Sequence, residues 1–157
     1  MNIIVRNLGI LVLALAAIAL VMGIVFVYQG VSKQALLTGI MKQENVKLSD
    51  LGVTGPMANE LIDTEQTAQL AGDTVRGHRH SIAPTYKDLL AGGKFDPTNP
   101  KDVTYAQAIN LENYIYMGAL SFGVTTIATA AGGFMIVVAL ALGAIGFALW
   151  KVAKMMT

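Results

Sequence analysis

The sequence predicts an all-α membrane protein, with two transmembrane helices in an antiparallel hairpin and a helical extracytoplasmic segment between them. Three observations predict it. Of the 157 residues, 54% are hydrophobic and only 13% charged, about half the charged share of an ordinary soluble domain. The apolar residues gather at the two ends of the chain, whereas all 10 acidic residues lie between Lys33 and Glu112. No stretch alternates apolar and polar residues with the period of two that marks a half-buried strand.

Residues 1–7 carry one basic residue, Arg6, and no acid. The run Leu8–Tyr28 then holds 21 residues without a charge, and about 20 suffice to cross a bilayer as a helix. A basic opening before an apolar run also fits a secretory leader. This run exceeds the roughly 7–15 apolar residues of a leader, so a membrane anchor is expected.

Residues 29–112 form the polar middle, with eight basic and ten acidic side chains. After Gly30, apolar residues at 31, 35, 36, 40 and 41 fall on one helical stripe, which extends the first span as a helix over about 31–43. Leu51-Gly-Val-Thr-Gly-Pro56 is a turn cluster. Asp63 and Gln66 stand in capping-box spacing and open a helix over about 64–80, which Pro84 stops. Thr85–Leu90 has the length of one short helical turn, and Gly92–Pro100 reads as loop. Thr104 with Gln107 repeats the capping spacing and starts the last helix at about 105.

From Asn113 to Trp150 there is no charge for 38 residues. As a helix this run measures roughly 57 Å, against a hydrocarbon core of about 30 Å. The expectation is one long helix over 113–150 whose C-terminal part, about 132–150, crosses the membrane. Splitting it at Gly132-Gly133 would place an uncapped turn in hydrocarbon, where backbone groups find no partner. Basic flanks stay on the cytoplasmic side, so Arg6, Lys151 and Lys154 put both termini (1–7 and 151–157) in the cytoplasm of an inner, plasma membrane and residues 29–112 outside. Tyr28 and Trp150 sit where interfacial aromatics are expected.

Several functional classes are excluded as expectations. A net charge of +1 argues against a nucleic-acid partner. Zero cysteines remove disulfides, thiolate-bound metals and thiol catalysis. No nucleophile elbow, Walker loop, dinucleotide fingerprint or HExxH occurs, so no enzyme, no catalytic residue and no cofactor are expected. Neither span holds an ionisable group, which ion-coupled transport generally needs.

A metal site would have to draw on His78 and His80, with Tyr86, Asp88 or Glu112 as a further ligand. Histidines two apart point to different sides of a helix, and the usual ligand spacings are absent, so no metal is expected. Glu112 reads instead as the polar edge of the last helix or as a partner of Arg76 or Arg79. Ser121, Thr125, Thr126 and Thr129 suit either hydrogen bonds across an interface or bonds back to their own helix.

At Thr74-Val-Arg-Gly-His-Arg-His80 and Thr104-Tyr-Ala-Gln-Ala-Ile-Asn-Leu-Glu-Asn113 the chain resembles a loose set of uncharacterised small bacterial membrane proteins. These have an N-terminal anchor, a helical outer segment and a long C-terminal apolar helix. The resemblance implies that architecture and carries no activity or site residues.

The leading expectation is a non-catalytic integral membrane subunit, a structural or accessory part of a larger assembly. Its partners would be the lipid bilayer and copies of itself or other membrane subunits. The rival is an extracytoplasmic metal- or ligand-binding membrane protein using the His78/His80 region. Small residues four apart, Ala119 with Gly123, Ala128 with Gly132 and Ala139 with Gly143, allow close helix approach and are the expected interface. A helix apolar on every side, as at Tyr114–Ala131, is normally buried.

Overall fold

A computed structural model describes residues 2–155. Met1, Met156 and Thr157, the outermost parts of the two expected cytoplasmic ends, lie outside the described residues. Four α-helices run in the order α1 Asn2–Glu44, α2 Glu65–Ile82, α3 Tyr86–Leu90 and α4 Pro100–Met155, with a 3₁₀ turn at Leu48–Leu51. Among the described residues there is no strand, only an isolated antiparallel bridge between Lys47 and Leu61. The chain divides into two compact units. One comprises residues 1–33 and 124–157, the other residues 34–123, and both long helices contribute to both.

In the first unit α1 and α4 are uninterrupted, and each is long and apolar enough to cross a membrane. The helix α4 passes without a break through Gly132-Gly133. The residues of α1 that bury are Gly9, Ala16, Gly23 and Gly30, and those of α4 are Thr125, Gly132, Ala139, Gly146 and Ala153. Both sets repeat every seven residues. Gly9 lies against Gly146 and the Trp150 backbone, Gly23 against Gly132 and Ile136, and Gly30 against Thr125 and Thr129. As numbers rise along α1, those of the facing residues on α4 fall. At Gly132 the approach is so close that a Cβ would lie 2.6 Å from the Gly23 carbonyl oxygen. Glycine is required there because backbone meets backbone. The remaining circumference of both helices is apolar and exposed, from Ile3 and Ile4 through Val25 on α1 and from Ile127 through Leu140 on α4.

The second unit has a small core of its own. Leu48, Ile62, Ala68, Ala71, Val75, Ile115 and Ala119 bury together, with Met41, Val46 and Leu70 packed on them. Gly52 closes the 3₁₀ turn in the left-handed region, at φ 89°, where a residue without Cβ is least strained. The last turns of α1 are tied to the segment before α2. Lys42 Nζ lies 3.3 Å from the Asp63 carboxylate, and the Thr38 hydroxyl donates to the Asp63 carbonyl at 3.3 Å. A second cluster, Ala83, Leu89 and Tyr105, seats α3.

Two helix starts differ from the sequence expectation. The N-cap of α2 is Thr64 rather than Asp63. Its hydroxyl accepts from the Thr67 N–H, and the Thr67 hydroxyl accepts from the Thr64 N–H, each at 3.1 Å. Thr67 therefore performs the reciprocal bond expected of Gln66, because its buried hydroxyl reaches the cap while Gln66 points outward to the Met57 sulfur. The helix then runs two residues further than expected, to Ile82, before Pro84. The helix α4 starts at Pro100, not near Thr104 or Tyr105. Asn99 caps it by accepting from the Lys101 N–H at 3.0 Å, and proline is well suited to the first helical position, where its missing N–H is no loss. Thr104 sits inside the helix and bonds back to the Pro100 carbonyl at 2.8 Å.

Candidate functional site

The most concentrated polar chemistry lies in the second unit, where the end of α2 meets the first turns of α4. Arg79 occupies the last turn of α2, where the negative pole of the helix favours a cation. Tyr105 and Glu112 are seven residues apart on α4, two turns along one face. All three are buried, Tyr105 completely. The Arg79 Nε donates to one Glu112 oxygen at 2.6 Å and its Nη2 reaches the other at 3.4 Å. The Nη1 donates to the Tyr105 hydroxyl, and the guanidinium carbon stands 5.1 Å from the Tyr105 ring centre. The Tyr105 ring also meets Tyr86 of α3, with centres 6.1 Å apart.

The hydrogen bond to Glu112 raises the Arg79 pKa above its ordinary value, against the opposing effect of burial. The guanidinium is therefore a permanent cation. Its Nη2 lies 3.1 Å from His80 Nε2, and a guanidinium only donates. Among the described residues no buried side-chain nitrogen or oxygen lacks a hydrogen-bond partner. The cluster is saturated, and it ties α2 and α3 to α4.

One further polar contact fastens α2 to α4, and another ties the preceding loop to α4. The Tyr116 hydroxyl donates to Asp73 at 2.6 Å, and its ring fills the space beside Gly72, where a Cβ would sit 2.8 Å from the ring. Burial first, then the bond to Asp73, pushes the Tyr116 pKa up, against the lowering influence of Arg76. In the first turn of α4, the buried Asp102 carboxylate accepts from the N–H of Asp96 in the loop before it, at 3.0 Å. Asp96 in turn accepts from the Thr98 hydroxyl and N–H, and those bonds hold its carboxyl below the ordinary range.

The five metal-ligand candidates do not converge. Asp88 accepts from the Thr85 hydroxyl at 2.7 Å. Glu112 is committed to Arg79, His80 contacts the Arg79 guanidinium, and the Tyr86 ring meets Tyr105 at a tilt. His78 lies elsewhere, with its ring 3.1 Å from the position of a Cβ on Gly52. Among the described residues no group of three or more His, Asp or Glu side chains converges as a metal site would require.

The six small residues expected at an interface face elements of this same chain. Ala119 belongs to the core of the second unit, and Gly123 looks onto the Glu65 carboxylate. Gly132 meets Gly23 and Val27, and Gly143 approaches Ala16. Ala139 is buried and Ala128 half-buried. Ser121 and Thr129 bond back to the carbonyls four residues earlier, at 2.7 and 2.9 Å. Sequence reasoning about pairs four apart missed the seven-residue repeat of Gly and Ala on both helices. It was visible as Gly9, Ala16, Gly23 and Gly30 on one side and Gly132, Ala139, Gly146 and Ala153 on the other. Tyr105 was also missed; its spacing from Glu112 was the available signal.

These contacts define a class: an all-helical protein with two long apolar helices that support a membrane location. No protein-family model matches the chain, and neither does any curated protein or solved structure.

Proposed function

We propose that this chain is a non-catalytic integral membrane subunit, a structural or accessory component of a larger assembly in a bacterial inner membrane. In this reading α1 and α4 form a two-span antiparallel hairpin with both termini cytoplasmic and residues 29–112 outside. Arg6, Lys151 and Lys154 support that orientation, and the bacterial setting comes from the resemblance in layout. The facing pairs Gly9 with Gly146 and Gly23 with Gly132 favour a crossing segment of α4 near 127–147, level with Leu8–Tyr28. That is a few residues earlier than hydropathy alone suggests.

One observation carries the subunit reading. The helix α4 remains apolar and exposed well before that crossing segment, with Tyr114 74% and Leu120 70% exposed. Both belong to the second unit, which also contains the charged middle of the chain. Large apolar side chains in such numbers on a water-facing surface mark a protein contact. The test is separation of the native particle in mild detergent, with mass measurement and identification of every chain in it. A particle of several chains supports the reading, whereas a lone chain in both detergent and lipid nanodiscs overturns it. Orientation is checked by labelling cysteines introduced at Ser32, Thr98 and Thr157. The first two should react from the side opposite the third.

A further inference from the structure

The face of α4 turned away from α1 and α2 has a regular composition. In steps of three and four it presents Met117, Leu120, Val124, Ile127, Ala131 and Phe134, all exposed. This is an a/d seam, and it keeps its register through Val138, Ala141, Ile145 and Ala148. It lies opposite the buried repeat that packs against α1. The seam continues the other way through Asn110 and Asn113, which occupy the same two columns and are also exposed.

We infer that this seam is the contact between two copies of the chain, joined in parallel through α4, a step that rests on the subunit reading above and names its partner. Four features favour a second copy as the occupant. First, the apolar seam from Met117 to Met155 measures roughly 57 Å along a helix. The hydrocarbon core is about 30 Å thick, so lipid covers little more than half of it. Second, the only charged residue of α4 between 103 and 150 is Glu112, and it is turned toward Arg79 at 2.6 Å. Between 103 and 150, therefore, no charge on the seam or its flanks opposes its own copy.

Third, copies inserted with one orientation meet in parallel, which brings Asn110 opposite Asn110. An amide both donates and accepts, so it pairs with itself, and a lone Asn at such a position fixes register in helix pairs. Fourth, Met117, Leu120, Val124, Ile127 and Phe134 are 63–70% exposed. They offer roughly 600 Å² per copy, most of the about 800 Å² per partner that stable pairs bury.

The absence of cysteine makes a clean crosslinking test possible. Single variants Met117→Cys, Leu120→Cys, Val124→Cys and Ile127→Cys are made in the full chain, in native membranes. Thr104→Cys and Leu140→Cys serve as controls, both exposed but off the seam. Because these four positions are exposed, the substitutions leave the packing within the chain untouched. Under mild oxidation the seam variants should give several times the disulfide-linked dimer of the controls. As a second readout, Leu120→Lys should shift the parent particle from two copies toward one. Equal dimer yields at seam and control positions, in a particle that contains other polypeptides, would overturn the inference and leave the subunit reading standing. No dimer, with a single chain per particle, would overturn both.

Discussion

Replacing Glu112 with Gln leaves the shape of the Arg79 cluster nearly unchanged and removes one of its two charges. In the parent, the guanidinium is about nine-tenths buried and its bonds go to Glu112, Tyr105 and His80. The variant keeps the cation in place with no anion beside it. Breaking a buried pair by removing one partner costs about 3–5 kcal/mol. If the amides of α2 and α3 exchange by release of those helices from α4, protection should fall by roughly two to three and a half decades. The assay is hydrogen exchange on the full chain in nanodiscs, read separately for residues 65–90 and for the apolar halves of α1 and α4. The loss should be confined to the former, because the cluster lies wholly in the second unit. A companion variant, Arg79→Met with Glu112→Leu and Tyr105→Phe, removes the charges and the buried hydroxyl together. It should recover most of the protection, since apolar replacement of a whole buried pair is often neutral or better. If Glu112→Gln leaves exchange in α2 within about tenfold of the parent, roughly 1.4 kcal/mol, the ion pair is not what holds α2 on α4.

Gly132→Ala should destabilise the helix pair by about 1–3 kcal/mol, because the new methyl meets the Gly23 carbonyl at 2.6 Å and the Val27 nitrogen at 2.7 Å. Gly133→Ala meets nothing within 4 Å and should be neutral or slightly stabilising by helix propensity; equal midpoints in detergent unfolding would refute the contact. Tyr116 has a raised pKa in the folded chain, so its contribution is complete below the unfolded value of about 10 and is lost as pH rises through the folded value. Tyr116→Phe should therefore soften the alkaline fall in thermal midpoint, and superimposable pH curves for parent and variant would count against the buried phenol. Changing His78 and His80 to Ala should leave the metal content of the purified protein unchanged, since the two rings face Gly52 and Arg79. Stoichiometric zinc or copper that vanishes in the double variant would prove the opposite.

Much of the architecture was legible in the sequence because membrane helices are specified by length and polarity, both one-dimensional properties. The charge-free runs from Leu8 and from Asn113, the helical stripe over 31–43 and the stop at Pro84 needed no knowledge of partners. Helix starts were read less well. Thr64 and Asn99 share their local chemistry with Asp63 and Thr104, and the choice among neighbouring caps was made by what each could reach once folded. Thr67 is buried and turns its hydroxyl to the cap, and Pro100 could begin a helix only after a residue free to accept from Lys101.

The pairing of elements was decided by tertiary structure. Nothing local distinguishes Arg79 from Arg76, yet one enters the core to meet Glu112 and the other stays at the surface, because only one lies on the α2 face that carries Ala68, Ala71, Gly72 and Val75. The small residues show the same division. Composition revealed that α4 carries Gly and Ala at regular spacing, which permits close approach to some helix. That the helix approached is α1, at Gly9, Gly23 and Gly30, follows from matching two seven-residue repeats that run in opposite directions. That match depends on two distant segments at once. The contact uses one side of α4 and leaves Met117, Leu120 and Val124 facing outward on the other.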